Sequence, residues 1–309
     1  MVIAAYRSRW LPEAVDSALS QTVSDIEVVI VADGSDERIP GIVSSLSDPR
    51  VRFLPANGQV GGAETHRRGF AAASAPVLGI LNDDDAWDAM FIEELLPPIE
   101  NDSSVVLSFG SHWVADEASS VDVEGTEELE RRFKRANLSA GPHRPFGRIA
   151  LVDLAIPLTA ASLFRREAVA GGPDPRSGPY YDRHLLYLLA RHGEAAHYNP
   201  RRVSRYRIHG GQASQTGYES NALGCGFAIR EALRDRALLE REPGLETDLR
   251  RMLAENEYRL GTIRLRLKSR RAALPHFGRA LRLGYRRAAL GLLASSAPRS
   301  FVRRVAPLR

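Results

Sequence analysis

The sequence predicts an α/β fold, a doubly wound and mostly parallel sheet with helices on both faces, plus a helical appendage at the C-terminal end. Three observations carry this. Short apolar runs alternate with amphipathic stretches through residues 1–109, the spacing of βαβ units. Two of those runs end in acidic residues, Ala32-Asp33-Gly34-Ser35 and Asn82-Asp83-Asp84-Asp85, which puts polar groups at the carboxyl edge where open α/β sheets bind ligands. Beyond about residue 226 the strand signals stop and helical periodicity takes over.

Taken in order, Val2 to Tyr6 reads as a first strand, and a helix follows with Pro12 in its first turn and Leu11, Val15, Ala18 and Leu19 on one face. Ile26 to Val31 is a nearly continuous apolar run, as a strand buried on both faces requires. A helix is expected over 39–46 and a strand over 51–54. A glycine-rich loop (Asn57, Gly58, Gly61, Gly62) leads into a helix over 64–73. The apolar run 75–81 precedes the aspartate cluster, and a helix over 90–99 and a strand over 105–109 complete the pattern.

Residues 116–134 are rich in acid and read as a surface loop running into a helix. Residues 137–146, with Pro142 and Pro145, read as an irregular stretch suited to a substrate lid. Leu158 to Glu167 reads as a strand passing into a short helix, and Gly171 to Pro175 as a turn. Residues 180–193 form an amphipathic helix with Leu185, Leu186, Leu188 and Leu189, ended by Gly193. The tail divides into helices over 227–240, 245–266, 271–282 and 285–295. Three parts are expected: 1–109 and 110–220 as two halves of one domain, and 221–309 as a basic helical region.

Composition narrows the classes. The single cysteine, Cys225, excludes a disulfide framework and a cysteine-built metal site, and fits a reducing compartment. No apolar stretch is long enough for a membrane span, and charged residues from Arg7 onward rule out a signal-peptide reading. The expected location is cytoplasmic, with a peripheral place at the inner membrane face. Residues 258–309 hold fourteen Lys or Arg and no acid, so a net charge of +4 for the whole leaves −10 for the rest. A basic tail suits a polyanionic neighbour. Arg299, Arg303 and Arg304, with Phe301 and Val302 between them, suit an anionic membrane, and pairing with the acidic body is the equal alternative. The C-terminal helices also offer a surface for oligomerisation.

The chemistry lies in the acids. Three adjacent carboxylates repel one another and raise one another's pKa unless a positive group joins them. A hard cation, Mg²⁺ or Mn²⁺, answers that with one or two carboxylates and the oxygens of a bound diphosphate. Solvation, or capping of the following helix, explains the aspartates equally well taken alone. Asp33 can accept from a base N–H or a ribose hydroxyl, and Tyr6 offers a ring face for stacking. The chain has neither G-x-G-x-x-G after the first strand nor G-x-x-x-x-G-K-[ST], which argues against a dinucleotide-binding domain and a P-loop NTPase.

The segments 2–7, 11–22, 27–35 and 81–87, followed by Gly171-Gly-Pro-Asp174, Tyr181-Asp-Arg-His-Leu185 and Tyr206-Arg-Ile-His-Gly-Gly-Gln-Ala-Ser214, resemble the inverting family-2 glycosyltransferases of GT-A type. The resemblance covers residues 2–214, and it implies that 1–109 are the nucleotide-sugar-binding half and 110–220 the acceptor-binding and catalytic half of the same domain. It implies a nucleotide-diphosphate sugar donor of UDP, dTDP or GDP type and a hydroxyl acceptor. Ala5, Tyr6 and Asp33 would bind the base, with Asp83 near the ribose. Asp84, with Asp85 and His209, would hold Mg²⁺ or Mn²⁺. Arg207 and His209 would lie near the diphosphate, and Arg67 and Arg68 are the arginine candidates after the glycine-rich loop, although a solvated helix charge explains either. Asp182 takes the place of the catalytic base, where the residue alone would read as a first-turn carboxylate. Three departures stand out: Ala32 replaces an acid before Asp33, Asn82 replaces an aspartate, and Tyr181 replaces the glutamate before the base. The competing expectations are a nucleotidyltransferase, or an impaired transferase fold that binds through its basic tail. No nucleic-acid partner is expected.

Overall fold

A computed structural model describes residues 1–34, 36–212, 218–267 and 269–296. Ser35, Ala213, Ser214 and the tail residues Arg299, Phe301, Val302, Arg303 and Arg304 lie outside them.

The first half follows the alternating pattern: β1 (Val2–Ala5), α1 (Leu11–Leu19), β2 (Val28–Ala32), α2 (Arg38–Ser44), β3 (Val51–Leu54), α3 (Gly62–Ala72) and β4 (Val77–Asn82). β1 pairs in parallel with both β2 and β4, and β2 with β3. Successive residues of β2 face opposite ways. Val28 and Ile30 belong to the same core cluster as Leu11, Val15 and Ala18 of α1, whereas Val29 and Val31 belong to the one that holds Phe70 of α3. That two-sided burial is why the strand lacks polar residues. Helix α3 lies close on the sheet because it carries Gly69, where a Cβ would come 2.4 Å from Val2.

Next come β5 (Ala86–Trp87), α4 (Phe91–Leu95), α5 (Pro97–Asn101) and β6 (Val105–Ala115). The single helix expected over 90–99 is therefore two, parted at Leu96–Pro97, because proline supplies no N–H to continue the ladder. β7 (Val121–Asp122) leads into α6 (Val123–Arg132), capped by the Asp122 side chain accepting from Gly125 N–H. β8 (Gly141–His143), α7 (Gly147–Leu151), β9 (Ser162–Arg165), α8 (Tyr181–Ala190) and β10 (Ala195–Arg207) complete the domain. The sheet order is β3-β2-β1-β4-β9-β6-β10-β5, with β9 antiparallel between β4 and β6.

Two expectations need correction. β10 is a thirteen-residue strand that the sequence reading did not identify. Pro200 and a run of arginines interrupt its apolar pattern, and the pairing with β6 shifts register there. The stretch 137–146 is not a lid over the acidic edge. Its β8 pairs with Ala196–Tyr198 at the start of β10, which lies beside Leu107–Phe109, whereas Arg207 lies beside Ala115 at the other end.

The C-terminal region is helical as expected: α9 (Tyr218–Arg234), α10 (Arg236–Arg241), α11 (Leu245–Arg266), α12 (Arg270–Arg282) and α13 (Ala288–Ser296). The buried Glu257 of α11 accepts from Arg230 of α9 at 3.1 Å and from Arg279 of α12 at 2.9 Å, with His276 at 2.7 Å. A buried charge is tolerated when so paired, and this one ties three helices together. Among the described residues no helix is long and apolar enough to cross a membrane.

Candidate active site

The site forms where β1, β2, β4 and β10 end. The turn after β1 is fixed first. The backbone N–H groups of Tyr6 and Arg7 both donate to one oxygen of Asp83, at 2.6 and 2.5 Å. Tyr6 is thereby held with its ring beside Gly34, whose φ of +114° only glycine takes readily. Tyr6, Gly34, Asp36, Glu37, Arg38 and Gln59 line a cleft of about 530 Å³. Asp33 stands at the end of β2, but its two oxygens accept from Val60 N–H at 2.7 Å and Gly61 N–H at 3.0 Å. It organises the glycine-rich loop, and any base contact would use its remaining lone pairs. Asp36, which sequence reasoning passed over, lies in the cleft wall, accepts from Ser8 N–H and pairs with Arg38.

The aspartates at the end of β4 differ in role. Asp84 Oδ2 lies 3.0 Å from His209 Nε2. His209 Nδ1 accepts Gly211 N–H at 3.2 Å, which puts the neutral ring's proton on Nε2, facing Asp84. Asp85 turns inward: Arg207 N–H donates to one oxygen and the Asn82 side-chain amide to the other, both at 2.9 Å. Asn82, a departure from the family pattern, thus supplies a donor that a carboxylate could not. Burial, then the charge of Asp84, pushes Asp83 up to about 7 and Asp85 well above the ordinary carboxylate range.

Arg207 is 2% exposed and fully engaged. It donates to Asp84 O at 2.8 Å, Asp116 O at 3.2 Å, Ser119 Oγ at 2.8 Å and Glu13 at 2.6 Å. Its bonds run to the protein's own groups, so it shapes the site from behind. Trp10, missed by the sequence reading, backs His209 with ring centroids 4.6 Å apart and donates to Glu117 O. A tryptophan in the polar segment between β1 and α1 was its only signal. Arg67 is paired with Glu64 at 2.6 Å and Arg68 donates to the Pro55 carbonyl at 2.9 Å.

Asp182 lies in the first turn of α8, where backbone N–H groups of that turn reach its carboxylate. Burial raises its pKa, partly offset by Arg183. Tyr181 stacks on His66 with centroids 4.0 Å apart and lies against Gly62. Burial, then the charge of Asp182, keeps its hydroxyl protonated, and the three aspartates after β4 act in the same direction. His66 is buried, its pKa lowered to about 4 mainly by that burial, and its Nδ1–H meets Gly62 O at 2.7 Å.

Among the described residues no three His, Cys, Asp or Glu side chains converge as a metal cage. Asp84 and His209 nonetheless fit a hard divalent cation whose other positions are filled by phosphate oxygens and water. Asp85, whose two oxygens each accept one hydrogen bond, has only its remaining lone pairs for a share in that cation.

The fold and this acidic edge define a GT-A type glycosyltransferase domain. The chain belongs to glycosyl transferase family 2, whose model matches residues 1–169. It is 31% identical over 140 residues to an uncharacterized glycosyltransferase of Nostoc, covering 42% of this chain and 43% of that protein. It is 35% identical over 85 residues to succinoglycan biosynthesis protein ExoO of Rhizobium meliloti, covering 27% of this chain and 24% of that one. These matches span less than half of each relative's length. Among solved structures it is similar to residues 1–349 of TarS from S. aureus in complex with UDP-GlcNAc, with TM-score 0.66, 11% identity and coverage of 100% and 92%. It is also similar to mannosyltransferase PcManGT of Pyrobaculum calidifontis with GDP-Man and Mn²⁺, with TM-score 0.60, 17% identity and coverage of 96% and 84%.

Proposed function

We propose that this protein is an inverting, metal-dependent glycosyltransferase that moves a hexose from a nucleotide-diphosphate sugar to an acceptor hydroxyl. The observation that carries the reading is the Asp84–His209 pair at 3.0 Å, set beside the Tyr6 cleft at the carboxyl edge of the sheet. Tyr6 offers its ring to the base of a UDP, dTDP or GDP type donor, and Asp83 fixes the turn that presents it. Asp84 and His209 would hold Mg²⁺ or Mn²⁺, which when bound stabilises charge on the departing diphosphate. With a cation on Nε2 the His209 ring proton would sit on Nδ1, which could then no longer accept Gly211 N–H. Asp182 is the general base: its carboxylate takes the proton of the acceptor hydroxyl as that oxygen bonds to the anomeric carbon from the face opposite the leaving group. One base without a covalent intermediate gives inversion. The names of the similar proteins fit this reading, with UDP-GlcNAc and GDP-Man complexes among the structures and a UDP-Glc glucosyltransferase, WfaP of E. coli, among the relatives.

The basic C-terminal helices supply a peripheral contact with an anionic membrane surface. Exposed Leu281 on α12 and Leu290 and Leu293 on α13, with Arg282, Arg286 and Arg287 exposed close by in the chain, favour it.

The test is calorimetric titration of the protein with UDP, dTDP and GDP, each with Mn²⁺ and with EDTA, followed by transfer assays with Asp182→Asn. Metal-dependent binding of one nucleotide is expected, together with turnover reduced about 10²–10⁴-fold in the variant and donor affinity unchanged. Absence of binding by every nucleotide overturns the donor reading, and near-full turnover by Asp182→Asn overturns the base assignment.

A further inference from the structure

We propose that Arg7 is the cation that meets the donor's diphosphate, leaving the Gly211 carbonyl to do so when the donor binds. The proposal rests on the donor reading above.

The position follows from the backbone. Asp83 holds the N–H groups of Tyr6 and Arg7 on a single oxygen, so the two side chains leave a fixed turn as neighbours. The Arg7 guanidinium carbon is 5.2 Å from the Tyr6 ring centroid. On its other side Arg7 Nη2 donates to Gly211 O. A Cβ built at Gly211 would be 3.7 Å from Arg7 Nη2 and 3.4 Å from His209 Nδ1. The guanidinium therefore lies between the Tyr6 cleft and the Asp84–His209 pair. A donor with its base in the one and its metal-bound phosphates at the other must cross that span.

Availability separates Arg7 from the other arginines considered. Arg207 is committed to Glu13, Ser119 and three backbone carbonyls. Arg67 is paired with Glu64, and Arg68 donates to Pro55 O. Arg7 is half-buried and, among the described residues, has no carboxylate within ion-pair distance; its hydrogen-bond partner is a neutral carbonyl. A guanidinium gains on exchanging a carbonyl for a phosphate, because charge-assisted bonds are about twice as strong. The nucleoside diphosphate gains a negative charge as it leaves the sugar, beyond what one divalent cation neutralises, so a second positive group is needed where phosphate leaves.

Gly211 links the two events. Its N–H is held by His209 and its C=O by Arg7. Metal binding at His209 Nε2 and phosphate binding at Arg7 would each release one of these, so donor and metal binding are coupled through one residue.

The experiment is calorimetry in Mn²⁺ with a nucleoside diphosphate and its monophosphate, on wild type, Arg7→Gln and Arg7→Lys, with melting temperatures alongside. Arg7→Gln is expected to weaken the diphosphate about tenfold or more, to leave the monophosphate within about twofold, and to melt near wild type. Arg7→Lys should recover part of the loss, and it carries the same comparison should Arg7→Gln not fold. A wild type that binds no nucleoside diphosphate refutes the donor reading itself. Undiminished diphosphate binding by Arg7→Gln refutes the role of Arg7 alone. Equal weakening of mono- and diphosphate with a lowered melting temperature makes Arg7 a structural latch on Gly211, and also refutes the proposal.

Discussion

Arg207→Met separates a structural arginine from a ligand-binding one. The sequence places Arg207 near the diphosphate, yet its guanidinium is 2% exposed and ends on the protein's own groups. Methionine fills much of the stem's volume and makes none of the hydrogen bonds. Three hydrogen bonds of 3.2 Å or less to uncharged acceptors are lost, to Asp84 O, Asp116 O and Ser119 Oγ, beside a longer one to Glu117 O at 3.4 Å. At about 1 kcal/mol each, the loss is about 3 kcal/mol. The Glu13 ion pair adds little, because that carboxylate is 37% exposed and water replaces its partner. Urea unfolding should show a lower midpoint at unchanged m, so that stability falls without a change in the surface exposed. Below the transition, the folded variant should keep the wild-type ratio of diphosphate to monophosphate affinity, although both affinities fall as the Asp84 turn loosens. A variant within about 1 kcal/mol of wild type that loses diphosphate affinity selectively would refute this reasoning and return Arg207 to the ligand.

Two further predictions concern α8. As the proposed base Asp182 would work ionised, and burial raises its pKa, so kcat/KM should fall with decreasing pH through a value above the 3.8 of an unperturbed aspartate, and be level above it. The same shift means that ionising Asp182 costs stability as pH rises through its folded pKa. Asp182→Asn should therefore melt above wild type at neutral pH, with the gap closing towards the unperturbed value; an equal melting temperature at both ends would show the shift to be absent. Gly62→Val places its Cβ 3.0 Å from the Tyr181 ring, with more bulk behind it. It should cost about 1–3 kcal/mol in thermal unfolding and lower kcat by displacing the first turn of α8.

What was legible in the sequence follows from which forces act locally. The parallel core was readable because β2 and β4 are apolar on both faces and end in acids. The proposed roles of Asp182 and His209 rest on their place in ordered motifs. The division of labour among the carboxylates was not. Asp85 serves Arg207 and Asn82 from β10 and β4, and Asp33 serves Val60 and Gly61, partners that only the folded chain brings near. β10 escaped because its arginines face partners on other elements: Arg202 meets Glu130 and Trp113, and Arg201 meets Glu94. Such long-range pairing leaves no period in the sequence. Trp10 and Arg7 stand in a segment without periodicity, where composition alone assigns no role.

Tyr181 is the departure from the family pattern with the clearest physical meaning. A glutamate there would bring another negative charge to a place where Asp83, Asp84, Asp85 and Asp182 are all felt. It would push the pKa of Asp182, already raised by burial, further up and take the base out of its ionised form nearer neutral pH. A phenol that stays protonated adds no charge. It also supplies an aromatic face, and His66 uses it: buried, held neutral, and fixed by Gly62 O, the imidazole stacks on Tyr181 at 4.0 Å. A carboxylate could not replace that stack, and the Cβ of any larger residue at 62 would crowd the ring. The start of α8, and with it Asp182, is thus positioned by apolar and aromatic contact where the family pattern places a charge. Restoring the family residue by Tyr181→Glu should therefore impair the enzyme unless His66 is changed with it, which a double-mutant cycle on kcat and melting temperature would measure as coupling between the two positions.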